Sequence, residues 1–167
     1  TAMGTVVVSN VPPKLVINEI NFDMQGVENQ EYVEIYNPSA ATVNLDGWSL
    51  EFVNGSNGQP YKTISLGDGM LMPNQYLVVG DPGVGESLPA GAQFIAIESS
   101  GNDHDFQNGP PDGVRIIGGN SVMDSVSYDG TIDGVTEGAM GAPDDPDSAD
   151  AVGIGRCPNG ADTDNNG

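Results

Sequence analysis

Histidine occurs once in these 167 residues, cysteine once, and basic side chains only four times. Each scarcity closes off a class of function. One thiol, Cys157, cannot form an intramolecular disulfide, so the fold rests on its core. A chain of this length buries about two-thirds of its unfolded surface without such a staple. A catalytic triad or a zinc site would have to be built on His104, in the hydrophilic run Asn102-Asp-His-Asp105. No serine is marked as its nucleophile, and the aspartates beside it are weak zinc ligands. The chain therefore reads as not an enzyme, and Cys157 as a small packing residue. Four basic residues against 24 acidic ones give a net charge of −20, spread along the whole length. Such a surface repels phosphate backbones and anionic membranes, which excludes nucleic acid as a partner. It favours cations and solubility in salt. No run approaches the 18 or so apolar residues of a membrane span, so direct membrane insertion is excluded as well. No window holds an apolar stripe at helical spacing for three turns. Thr1-Ala-Met-Gly4 reads as a leader remnant, so the lack of a targeting signal says nothing about location.

What the chain does have is turns. Its 24 Gly and 12 Pro punctuate short apolar runs, the composition of an all-β protein. Residues 1–13, ending at Pro12-Pro13, read as a leader and linker, and residues 14–167 as one domain. Strands are expected at Leu15 to Ile20, Glu31 to Asn37, Val43 to Val53 with a bend at Asp46-Gly47, Tyr61 to Leu66, and Gln75 to Gly80. Further strands follow at Gln93 to Glu98, Val114 to Ile117, Val122 to Val126 and Ala151 to Arg156. Strict alternation places Val33 and Ile35 on one face and Tyr32, Glu34 and Tyr36 on the other. Gly118-Gly119-Asn120 signals a hairpin. Ser99 to Pro111 and Tyr128 to Asp150 carry scarcely any core pattern and read as long loops, the places where specific recognition would sit. The sum is a β-sandwich of about eight or nine strands with almost no helix.

Four segments carry a family resemblance: Val16-Ile-Asn-Glu-Ile20 with Glu31-Tyr-Val-Glu-Ile-Tyr-Asn-Pro38; Val43-Asn-Leu-Asp-Gly-Trp-Ser-Leu50; Leu71-Met-Pro-Asn-Gln-Tyr-Leu-Val-Val-Gly80; and Val152-Gly-Ile-Gly-Arg-Cys-Pro-Asn-Gly-Ala-Asp-Thr-Asp-Asn-Asn166. In this order they resemble the bacterial, extracellular branch of the lamin-tail domain family. The resemblance implies an immunoglobulin-like, Greek-key β-sandwich with Trp48 packed inside. It also implies a secreted or cell-surface module beside other domains of a larger polypeptide, and a final family segment missing after Gly167.

Three acidic groups are candidate calcium ligands. Asp162, Asp164 and Asn166 match the first half of a D-x-[DN]-x-[DN]-G loop, in which alternate side chains point at one centre. The resemblance offers a rival account of the same residues, as a turn before a last strand. Asp144, Asp145 and Asp147, with Asp150, crowd four carboxylates into seven residues. Their other reading is a solvated loop. Asp23 and Glu28, with Glu31, flank the turn after the first strand. Arg156 and Glu34 lie within strand patterns, where charges are rarely buried unless paired, so Arg156 is expected to pair with Glu19, Glu31 or Glu34. Ile17, Val33, Ile35 and Trp48 are expected in the core, and Tyr61, Phe106 and Tyr128 are the freer aromatics for contacting a ligand. The expected function is a non-catalytic adhesion, anchoring or protein-interaction module stabilised by Ca2+. A calcium-assisted carbohydrate-binding module and an accessory domain of a secreted hydrolase stand as alternatives.

Overall fold

The computed structural model describes residues 13–23, 29–97, 106–107, 109–142 and 153–166. Alternation decides how its strands face. In β2 (Tyr32–Tyr36), Val33 and Ile35 are buried while Tyr32, Glu34 and Tyr36 are half-buried. The first sheet joins β2 to β1 (Val16–Asn21), β7 (Tyr76–Gly80), β8 (Gln93–Ala96) and the two-residue β11 (Ile154–Gly155), in the order β11-β1-β2-β7-β8. The second joins β4 (Ser49–Asn54), β5 (Gln59–Ser65), β9 (Asp112–Gly118) and β10 (Ser121–Tyr128), in the order β10-β9-β4-β5. A short pair, β3 (Val43–Asn44) and β6 (Met70–Leu71), stands apart. All pairings are antiparallel except β7 with β8. Eight of these eleven strands run four residues or longer. The fold is an immunoglobulin-like β-sandwich.

Between the sheets lies one main core containing Ile17, Val33, Ile35, Leu50, Phe52, Ile116 and Trp48. Burying such side chains does most to hold the sheets together, at roughly 1.5–3 kcal/mol for each fully buried large one. Trp48 sits where the chain leaves the Asp46-Gly47 turn, with Gly47 at φ +76. Its ring lies flat on the backbone of Gly118, where a Cβ would come within 2.8 Å of the ring carbons. The hairpin between β9 and β10 turns at Gly119 and Asn120, with φ of 57 and 67, the two positive values of a type I′ turn.

Two expectations need correction, those for the 128–142 stretch and for Cys157, while almost no helix is found, as expected, with one short helix among the described residues. Residues 128–142 are not devoid of core residues: Ile132 and Val135 form a small second cluster with Val53, and Ala142 joins the main core. They escape a periodic search because they sit in turns. A helix, α1 (Pro82–Ser87), follows β7; Pro82 pre-sets its first turn, while Gly83 and Gly85 hide it from propensity. Cys157 is exposed rather than packed.

Candidate functional site

A bulge in β1 organises the most heavily charged part of the molecule. Register between β1 and β2 slips between Ile17 and Glu19, leaving Asn18 as the extra residue. The bulge turns the backbone of Ile17 toward β10. Ile17 N–H donates to Asp124 Oδ2 at 2.6 Å, and Ile17 C=O accepts from Arg156 Nε at 2.7 Å. Arg156 Nη2 closes the ring by donating to both oxygens of Asp124, at 3.1 and 3.2 Å. Asn18 holds the Arg156 segment in place, since its C=O accepts from Arg156 N and its Oδ1 from Gly160 N. Asp124 is 0% exposed and the Arg156 side chain 13%. Glu137 Oε2 lies 3.9 Å from Arg156 Nη2, and Asp162 Oδ1 accepts from Nη1 at 3.2 Å. Lys14 Nζ donates to the other oxygen of Asp162 and lies 3.6 Å from Asp164.

Four carboxylates here, three of them at least partly buried, face two cations, and the protons reflect the shortfall. Burial pushes Asp124 up to about 7 against the pull of Arg156 and the Ile17 N–H, with Glu137 and Asp162 adding to the rise. Glu137 is also raised, by burial first and then by Asp162. Asp162 is lowered: burial opposes ionisation, but the bond from Lys14 overrides it. Lys14 is raised, its own desolvation outweighed by that same bond. Elsewhere, burial lifts Asp112 to about 6 and raises Glu34.

A raised folded pKa on a carboxyl means that the native state binds the proton more tightly than the unfolded chain. That contribution is full below the unfolded value near 4 and is lost as pH rises through the folded value. For Asp112 alone the difference is about 2 kcal/mol between pH 4 and pH 7. Asp162 works the other way, but only below pH 4. Thermal melts across pH are therefore expected to peak near pH 4–5 and fall by several degrees at pH 8. A flat profile would contradict the placement of these carboxyls.

The tail segment binds protein groups at each of its candidate ligand positions. Asp162 serves Arg156 and Lys14. Asp164, at φ +49, donates its N–H to Asp162 Oδ1. Asn166 acts as a substitute strand for the open edge of β10: its Oδ1 accepts from Ser127 N and Glu137 N, and its Nδ2 donates to Ser125 O. Replacing Asn166 by alanine strands two N–H groups and is expected to cost about 2 kcal/mol. Faster hydrogen exchange at Ser127 and Glu137 would report it, and unchanged exchange would sink the assignment.

The other expected site residues scatter. Arg156 does not meet Glu19, Glu31 or Glu34. Glu19 accepts from Tyr32 Oη, Glu34 accepts from Asn18 Nδ2 at 2.7 Å, and Glu31, 1% exposed, donates its N–H to Asp81 Oδ2 while its C=O accepts from Asp81 N. The cause is the bulge, which aims Arg156 inward at β10 instead of across the outer face of β2. Phe106 and Tyr128, 0% and 1% exposed, are core residues, with Tyr128 stacked on Phe22 and Phe106 edge-on to Phe52. Tyr61 is half-buried against Phe52 and accepts from Gln107 N. These three do not form a ligand platform. Asp23 is half-buried at the end of β1. Asp144, Asp145, Asp147 and Glu28 lie outside the described residues, as does His104. Sequence reasoning misses Asp124, Glu137 and Lys14, although a lone aspartate inside Val122 to Val126 carries the same signal that marks Glu34.

Beside the cluster, a cavity of about 230 Å³ opens between β1, β10 and the tail, with Ile20, Val126, Ala142 and Ile154 along its apolar wall. The carboxylate oxygens of Asp124, Glu137 and Asp162 lie within 4.8 Å of one another, a spacing that suits a divalent ion. The guanidinium of Arg156 stands among them and already supplies the positive charge. Lys14 and Arg156 are thus committed here, and Arg115 is paired with Glu51 at 2.6 Å across β9 and β4. The arrangement neutralises and positions; it offers no nucleophile beside a base.

Comparison with known proteins agrees with this architecture. The family model described as Lamin Tail Domain matches residues 9–136. No curated protein matches the chain.

Proposed function

Because the chain belongs to the lamin tail domain family, we propose that it is a non-catalytic interaction module of a secreted or cell-surface protein. It docks onto another protein or onto neighbouring domains of a larger polypeptide. The observation that supports this most is how the charged groups are used. The carboxylates, guanidinium and ammonium of the cluster hold the tail to the sandwich, leaving surfaces rather than chemistry as its means of action. A charge of −20 suits an environment in which salt and divalent cations screen it. If calcium stabilises the domain, the ligands come from outside this cluster: Asp23 among the described residues, or Glu28, Asp144, Asp145 and Asp147.

Glycan binding is the second reading, carried by aromatics other than those expected. Tyr36 and Tyr76 face each other across β2 and β7 with ring centroids 4.7 Å apart, flanked by Asn74 and Asn159. Immobilised domain probed with panels of secreted proteins and of polysaccharides separates the two. Saturable protein binding with blank polysaccharides supports the interaction module. Polysaccharide retention that is lost in Tyr36→Ala and Tyr76→Ala would replace it.

A further inference from the structure

The two main sheets have four edges, and three of them are closed. At β10 the backbone bonds go to Asn166 and to Ala142 N. At β5, Pro60 and Lys62 sit in the edge strand, two residue types that block strand addition. At β11 the strand is only two residues long among the described residues. The fourth edge, β8, reads Gln93-Phe-Ile-Ala96, with no charge and no proline. Among the described residues no strand pairs with its outer side.

Ile97 N–H donates to Gly80 O at 2.8 Å. By the strict alternation of a strand, Ile95 and Gln93 also aim their backbone at β7, so Phe94 and Ala96 present N–H and C=O outward. Charge does not oppose pairing at the same place. Residues 69–80 and 87–97 contain no Asp, Glu, Lys, Arg or His, in a chain that carries 28 of the first four. They supply β6, β7 and β8. The exposed Met70 and Met72 extend the apolar surface toward the start of β8, where Gln93 Nε2 donates to Met70 O.

We propose that β8 pairs with β8 of a second copy, antiparallel across a two-fold axis at Ile95, joining two five-stranded sheets into one. Phe94 then faces Ala96 of the other copy, and Ala96 faces Phe94, so all outward backbone groups of the pair are satisfied. The side chains fit. Phe94 is already held beneath α1, its ring so close to Gly85 that a Cβ there would fall 2.5 Å away, and the exposed Ala96 leaves room beside it. A second copy is the occupant because the pairing is self-complementary and this open edge strand itself carries no charge, so two chains of −20 can meet along it without like charges in the paired strands. The rest of each body repels the other, so the association is weak and strengthens with salt, the reverse of one held by ion pairs.

Sedimentation equilibrium on the whole chain tests this. With NaCl raised to about 0.5 M, where screening acts within a few ångströms, the average mass is expected to climb from 17.2 kDa toward twice that value as concentration rises. Ala96→Pro removes an outward N–H and no bond to β7, so it is expected to stay monomeric with an unchanged near-UV spectrum. Ala96→Lys sets two like charges beside the axis and is expected to do the same, which covers the case of a proline variant that misfolds. A wild-type chain that remains at 17.2 kDa up to about 1 mM, or an Ala96→Lys variant that associates as readily as wild type, would overturn the proposal.

Discussion

Replacing Arg156 by alanine is expected to destabilise the fold by about 3–5 kcal/mol at pH 8, the cost of leaving a buried carboxylate without its counter-charge. In a chain of this size that lowers the melting midpoint by about 10 °C. The loss has a pH signature. Asp124 is fully buried, and burial already lifts it to about 7 with the guanidinium in place. Without Arg156 its folded pKa rises further, so the variant's penalty grows as pH climbs through neutrality and shrinks toward pH 5, where Asp124 carries a proton in both proteins. What remains at pH 5 is the loss of the Arg156 bonds to Ile17 O and Ala161 O. Adding Asp124→Asn to Arg156→Ala is expected to recover part of the loss at pH 8, because the amide is neutral and its oxygen still accepts from Ile17 N–H. A penalty that is equal at pH 5 and pH 8 would mean that the cluster works by packing alone.

How much of this is legible in the sequence depends on the range of the interaction. Val33 and Ile35 announce a buried face because alternation is written in adjacent residues. Gly119 and Asn120 announce their turn because positive φ restricts residue choice locally. Trp48 is legible for the same reason, through the Asp46-Gly47 corner before it. Arg156 is recognisable as a charge needing a partner, but the partner, Asp124, is 32 residues away and on the other sheet. Nothing in the sequence of β1 declares that Asn18 is bulged, and the bulge selects Asp124 over Glu34. The tail shows a related limit. Asp162, Asp164 and Asn166 have calcium-loop spacing, yet the same alternation of oxygen side chains serves Lys14, Arg156 and the edge of β10. Spacing identifies groups able to bind something; only the fold says what reaches them first. Phe106 and Tyr128 fail in the opposite direction: polar neighbours make them read as exposed, whereas burial depends on the opposite sheet.

Ending the chain at residue 152 is expected to remove more stability than any single substitution, although the family match itself stops at residue 136. The cut deletes β11, Arg156, Asp162 and Asn166 together. Asp124 loses its counter-ion, Ser125 O and Ser127 N lose the amide that caps β10, and Asn18 O loses the donor from Arg156 N. Ile20 and Val126 lose the wall that encloses them. The cut forfeits the counter-ion, about 3–5 kcal/mol, and the stranded edge groups, about 1–3 kcal/mol each. Together these reach the roughly 5–15 kcal/mol that holds a whole domain of ordinary stability. The fragment is therefore expected to lose its near-UV circular dichroism and its cooperative melt. A synthetic peptide of residues 153–166 added in trans is expected to restore both, in a saturable manner that weakens when its Arg156 is alanine. A fragment that melts cooperatively at the wild-type midpoint without the peptide would make the tail an appendage and Arg156 a surface charge. Restoration would instead make the tail the last element of the sandwich, contributed by residues beyond the family match.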